Sequence, residues 1–166
     1  MNFKDINLMS ESDAKNAFMQ CCTSSIWVHK MVQSRPFNDL NSLFEAANLH
    51  WLDLTEADYL EAFDGHPKIG NVNSLVKKYA DTKTLAAGEQ SGMNAANELT
   101  IKALAKGNDD YLSKFGFIFI VCATGKSAAK MLALLQKRII NDRETELENA
   151  AEEQRKIFHI RLNKYA

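Results

Sequence analysis

A single imidazole in a constrained turn, Gly65-His66-Pro67-Lys68-Ile69-Gly70, is the group in this 166-residue chain best suited to moving a proton. Proline fixes its own φ and pushes His66 out of the helical region, while glycines release the chain on both sides. His66 is therefore expected on a shaped loop, where an imidazole titrating near neutrality suits proton transfer. A His-Pro pair alone is an ordinary turn, but two further clusters accompany this one. In Ala86-Ala87-Gly88-Glu89-Gln90-Ser91-Gly92, small residues surround a carboxylate and an amide whose oxygens accept N–H bonds from a ligand. In the run from Lys114 to Ala123, backbone N–H and C=O groups of the extended Phe119–Ala123 stretch are open to a ligand if no neighbouring strand uses them. Arg161 shares a helical face with Leu147, Ala151, Gln154, Phe158 and Tyr165, at spacings of four and three. There it either snorkels to solvent or meets an anionic or carbonyl-rich ligand with its planar fork of donors.

Other chemical signals fail on spacing. Gly125-Lys126-Ser127 follows an apolar run, but a phosphate-binding loop needs glycine where Ile120 stands. Cys21-Cys22 lacks Cys-x-x-Cys spacing, and successive helical residues point about 100° apart, so both are read as core cysteines. None of the four histidines lies in a His-Glu-x-x-His arrangement. The apolar neighbours of Cys122 suit a structural thiol better than a nucleophile. No metal site is expected.

Composition bounds the rest. With 46% apolar residues, seven Gly and two Pro, the chain suits a full core of long helices, and its length suits one compact domain over 1–166. A net charge of -1 with interspersed signs argues against nucleic-acid and membrane-surface partners. Three cysteines form no disulfide framework, the first residues lack a signal-peptide core, and no segment reaches the ~18 apolar residues of a membrane span. A cytoplasmic protein is expected.

The elements that must position these groups are helical. Ser10-Glu11-Ser12-Asp13 has capping-box spacing and opens a helix through Ala14, Ala17, Phe18 and Cys21. A second helix carries Trp27, Val28 and Met31 and closes at Arg35-Pro36. A third runs from Leu40 to Trp51. Thr55-Glu56-Ala57-Asp58 starts a short one through Phe63, which Asp64-Gly65 ends. Beyond the turn, Val72 to Tyr79 suggests a short helix, and a long one follows from about Thr84 to Lys106, stopped by Gly107-Asn108-Asp109. Residues 109–115 form another short helix ending at Gly116. Residues 117–123 read as a buried extended segment, lacking any partner strand. Two helices, about Lys126–Ile140 and Arg143–Leu162, complete an all-α fold.

Taken together, these clusters resemble the 2-oxo-4-hydroxy-4-carboxy-5-ureidoimidazoline decarboxylases, which act in the conversion of urate to allantoin. The resemblance runs through Cys21-Cys22, Trp27, Arg35-Pro36-Phe37, Leu60-Glu61-Ala62-Phe63 and His66-Pro67-Lys68-Ile69-Gly70. It continues through Glu89-Gln90, Lys114-Phe115-Gly116-Phe117, Cys122-Ala123, Arg138, Asn141-Asp142, Glu146-Leu147 and Arg161-Leu162. It implies an all-helical, homodimeric, cofactor-independent carboxy-lyase acting on a small ureidoimidazoline and yielding (S)-allantoin. The implied catalytic residues are His66, the acid/base, and Glu89, which stays ionised and holds substrate N–H groups. Implied substrate contacts are Pro67, the stretch Ala86-Ala87-Gly88-Glu89-Gln90, the main chain of Phe119-Ile120-Val121-Cys122-Ala123, and Arg161. The chain departs from the family at Ala86, where serine is frequent, at Ile118, where proline is, and at Thr124, where arginine is. The competing readings are a ureide hydrolase and a non-catalytic helical interaction module. The enzyme reading requires residues near 66, 89, 121 and 161 to converge.

Overall fold

Caps written in the sequence set most helix starts. The computed structural model describes residues 2–66 and 87–166, with 87–97 given by helical backbone alone. All regular structure among them is helical, as expected. Helices α1 (Phe3–Leu8), α2 (Glu11–Met19), α3 (Ser25–Gln33), α4 (Leu40–Leu52) and α5 (Glu56–Asp64) come first. Then follow α6 (Ala87–Phe115), α7 (Ala128–Arg138), α8 (Arg143–Leu162) and a 3-10 turn over Asn163–Tyr165. Thr55 and Asp58 complete the capping box that opens α5, and Ser10 accepts from the Asp13 N–H to open α2. Helix α1, not anticipated, starts with a capping box between Asn2 and Asp5. The Arg35 guanidinium donates to the Ile6 and Met9 carbonyls at its far end. The Pro67–Gly70 turn residues, the Val72–Tyr79 helix and Ala86 lie outside the described residues. No described helix is long and apolar enough to cross a membrane.

The chain divides into two compact units. The first takes the residues up to His66, Ile120–Cys122 and Glu148–Ala166. Its core is aromatic: the Trp27 ring lies 6.0 Å from Phe18, edge-on, and 5.0 Å from Phe158, which also meets Trp51 at 5.7 Å. Each buried indole finds an acceptor. Trp27 donates to the Ala47 carbonyl at 3.0 Å and Trp51 to the Ala151 carbonyl at 2.9 Å, so the rings are buried without an orphaned N–H.

The second unit takes α6 through Phe119 and Ala123–Leu147. Here the structure overturns the expected helix stop at Gly107-Asn108-Asp109: α6 is one 29-residue helix through to Phe115. The buried row Ile101, Leu104, Ala105, Tyr111 and Phe115 keeps helical spacing straight through the glycine. Gly107 serves packing. A Cβ there would lie 2.8 Å from the Leu135 side chain of α7. The real stop is Gly116 at φ +81, with Gly125 at φ +73 at the far side of the segment that follows. A Cβ on either would meet nothing within 4 Å. Between them the chain is neither helix nor strand; Phe117, Ile120 and Cys122 are buried while Ile118, Phe119, Val121 and Ala123 are half-buried. Buried Glu146 accepts from the Tyr111 hydroxyl at 2.5 Å, Arg138 Nε at 2.8 Å and the Asn141 amide at 2.9 Å. Burial, then the Glu146 bond, pushes the Tyr111 pKa up, so the phenol keeps its proton.

The expected face of α8 is also corrected. Its buried row is Glu146, Ala150, Gln154, Phe158 and Leu162, joined by Tyr165 of the 3-10 turn, while Leu147 and Ala151 are half-buried and Arg161 is exposed. Steps of four advance about 40° round a helix, so this row drifts where the anticipated one mixed its steps.

Gly107→Val is expected to destabilise the protein by about 1–3 kcal/mol through overpacking against Leu135, with Leu135→Ala in the same chain recovering part of the loss. Denaturant midpoints of the singles and the double measure that coupling, and purely additive effects would show that the two positions do not touch.

Candidate active site

His66 follows α5 directly, and the end of that helix is tied down on several sides. The Glu61 carboxylate accepts from the Ser25 N–H and hydroxyl, both at 2.6 Å, which also places a negative charge at the start of α3. The Thr23 hydroxyl lies 3.3 Å from both the Glu61 and Ala62 carbonyls. This contact explains Gly65 differently from the sequence reading. Its φ of -71 is open to any residue, but a Cβ there would fall 2.0 Å from Thr23 Oγ1. Glycine is required for proximity. The His66 N–H then donates to the Phe63 carbonyl at 3.1 Å, continuing the last turn of α5.

The imidazole is half-buried, and its Nε2 is hydrogen-bonded to Oε1 of Gln154 on α8. Gln154 is fully buried, and among the described residues its Nε2 has no partner. A half-satisfied buried amide costs about 1–3 kcal/mol relative to a satisfied one. Sequence reasoning assigned no role to this residue. The available signal was an amide set between the apolar Ala150 and Phe158 on the buried row. Seven residues further on, about two helical turns, Arg161 lies on nearly the same line of α8. Its Nη1 donates to the Cys21 carbonyl at 3.2 Å while the side chain stays exposed. Both sites bear on His66. Burial lowers its pKa below 6.5, the Gln154 bond opposes that, and the Arg161 charge lowers it further. Burial and the Arg161 charge thus favour the neutral imidazole.

The 119–123 segment is more engaged than anticipated. The Cys122 N–H, expected to be open to a ligand, donates to Glu153 Oε1 at 3.1 Å, and the Ala123 carbonyl accepts from Lys126 at 3.1 Å. Phe119 belongs to the second unit, with the Arg138 guanidinium 4.6 Å from its ring centre. Ile120–Cys122 belong to the first unit, as do His66 and Arg161. Ala87, Gly88, Glu89 and Gln90 lie on α6, their side chains outside the described residues, and Pro67 and Ala86 lie outside them altogether. The structure thus brings His66 and Arg161 together and adds Gln154. Among the described residues no group of three or more His, Cys, Asp or Glu is placed to hold a metal ion.

The result is an all-α protein in which a desolvated imidazole is held by a buried amide and feels the charge of a guanidinium two turns further along that amide's helix. The OHCU decarboxylase family model matches residues 7–163, and the chain belongs to that family. The uric acid degradation bifunctional protein TTL of Arabidopsis thaliana is 38% identical over 145 residues, covering 87% of this chain and 44% of the plant protein. This chain therefore spans less than half of that relative. The 2-oxo-4-hydroxy-4-carboxy-5-ureidoimidazoline decarboxylase of Halalkalicoccus jeotgali is 25% identical over 98% of this chain and 90% of its own length. Among solved structures, an OHCU decarboxylase crystallised in the presence of (S)-allantoin superposes with a TM-score of 0.70 at 36% identity, covering 89% of this chain and 94% of that one. An (S)-allantoin synthase structure matches at TM-score 0.72 and 17% identity over 99% of this chain and 54% of that one, which bears on fold alone.

The cysteines beside the site are inert. Cys21 and Cys22 are free and buried, and burial pushes the Cys22 pKa up to about 12. Against an ordinary value of 9.0, that leaves about a thousandfold less thiolate near neutrality. Cys22 is expected to resist iodoacetamide in the native protein near pH 8 and to react once the chain is unfolded, as mass mapping of the modified peptides would show. Rapid native labelling would mean that the site opens far more than this packing allows.

Proposed function

We propose that this chain decarboxylates 2-oxo-4-hydroxy-4-carboxy-5-ureidoimidazoline to (S)-allantoin in urate degradation, with His66 as acid/base and without a cofactor. The observation that carries the reading is the neutral, amide-held imidazole sharing its surroundings with Arg161, in a chain of this family. The substrate bears a carboxylate and a hydroxyl on one ring carbon, next to an unsaturated, nitrogen-rich system. When carbon dioxide leaves, the electron pair of the broken carbon–carbon bond passes into that system. His66 takes the hydroxyl proton as a neutral base and returns a proton to one face of the ring, which fixes the hand of the product. Positioned proton transfer of this kind is worth ~10²–10⁴ in rate.

Arg161 offers a fork of donors to an oxygen-rich edge of the substrate. One arm already rests on Cys21, which pre-sets the orientation of the rest. Val121 is half-buried between two engaged neighbours and supplies main-chain contact. By the family resemblance, Glu89 and Gln90 hold ureido and ring N–H groups, and Pro67, Ala86, Ala87 and Gly88 are further substrate contacts. Further parts of the reading are a cytoplasmic homodimer acting as one functional domain, without nucleic-acid partners. Free cysteines support the compartment, a net charge of -1 supports the absence of nucleic-acid partners, and the family match over residues 7–163 supports the single functional domain; the homodimer rests on the family resemblance.

The test generates the unstable substrate in place from urate with the two preceding activities and follows optical rotation. One enantiomer forming faster than spontaneous decay supports the reading. Racemic product at the uncatalysed rate, or a hydrolysis product, would overturn it. His66→Asn is expected to lower kcat/KM by about 10²–10⁴ in a folded protein. Because the His66 pKa is lowered, its base form persists below the usual histidine range. The acid limb of kcat/KM should accordingly lie below pH 6.5, activity falling as the pH drops through that limb and His66 gains a proton. Glu89→Gln swaps an acceptor for a donor and should cost roughly ten- to hundredfold in kcat/KM without moving that limb.

A further inference from the structure

We infer that Gln154 is a positioning residue that fixes His66 as the Nε2–H tautomer, leaving Nδ1 as the atom that exchanges protons with substrate. This deepens the reading above, since Nδ1 has catalytic meaning only if His66 is the proton carrier. The inference starts from an asymmetry in a buried amide. Gln154 is fully buried, its Oε1 lies against His66 Nε2, and its Nε2 has no partner among the described residues. An amide oxygen only accepts, so the imidazole nitrogen facing it carries the hydrogen. A neutral imidazole has one such hydrogen, and the lone pair is then on Nδ1.

Core filling does not explain the residue. Its neighbours along the buried row are Ala150, Phe158 and Leu162, and an apolar side chain would complete that row without orphaning a donor. Charge does not explain it either. A carboxylate would accept the same hydrogen but would favour the imidazolium, so that the ring would be lost as a base at a higher pH. Among the described residues Arg161, also on α8, is the charged group that bears on the imidazole, and its positive charge favours the neutral ring. A neutral acceptor orients the ring and leaves that preference intact. Thr23 and Glu61 hold the end of α5, so the imidazole reaches Gln154 from an anchored main chain.

Nitrogen-15 correlation spectra of the full chain, above the His66 titration and without substrate, read the tautomer directly. The ring proton is expected on Nε2, and a proton on Nδ1 would overturn the inference. Gln154→Glu should raise the His66 titration, followed by the same spectra, by at least about one pH unit, and carry the acid limb of kcat/KM upward with it. Gln154→Leu should lower kcat by about ten- to hundredfold with KM little changed, because the ring is then free to turn and change tautomer. An unmoved His66 titration in Gln154→Glu, or an unchanged kcat in a folded Gln154→Leu protein, would each overturn the assignment. The spectra of the unmodified chain need neither variant to fold. They also separate the two failures: absence of (S)-allantoin with the expected tautomer refutes the substrate, and the wrong tautomer with (S)-allantoin formed refutes Gln154.

Discussion

A buried glutamine whose partner among the described residues is His66 is the constraint around which the site is organised. Polar groups inside a protein are normally satisfied, and among the described residues Gln154 is satisfied through His66 at its Oε1. Keeping that bond requires α5 to end where it does, and each device near residue 65 serves this. Gly65 has no side chain because Thr23 occupies the space, and Glu61 reaches across to the first residue of α3. On the opposite side, Phe158 packs between Trp27 and Trp51, one helical turn beyond Gln154, and so fixes the register of α8 in the first unit. The aromatic core thereby sets the position of a group that is not aromatic.

The second unit handles buried polarity in the opposite way. Glu146 also sits on the buried row of α8 and is fully buried, yet it collects a phenol, a guanidinium and a carboxamide. Such a network rigidifies without being available for anything else. The contrast between Glu146 and Gln154, two turns apart, separates a polar residue that builds structure from one whose Nε2 has no partner among the described residues.

What was legible in the sequence follows from which signals are local. The Thr55–Asp58 cap, the Gly116 stop and the two final helices depend on neighbours in sequence and read correctly. The Gly107 stop misread a glycine whose reason lies 28 residues away, at Leu135. Helix α1 was missed because its cap stands at the second residue, ahead of a segment with little periodicity. At the site, His66 and Arg161 were visible as residue types in suggestive settings. Gln154 was not, because an amide acquires meaning only from what it faces. The Cys122 amide looked open for the same reason, since nothing local shows that Glu153 accepts it.

The glycines at 116 and 125 bracket the segment between α6 and α7 with backbone of left-handed sign, in places where a side chain would touch nothing. The constraint at these positions is therefore one of chirality. An L-residue would be strained for lack of the right torsion, although space is open. A D-alanine introduced by chemical ligation at either position would match the torsion and narrow the unfolded ensemble. The two bends are handedness-specific points in the chain's path, open to stiffening by introducing a single stereocentre of D configuration.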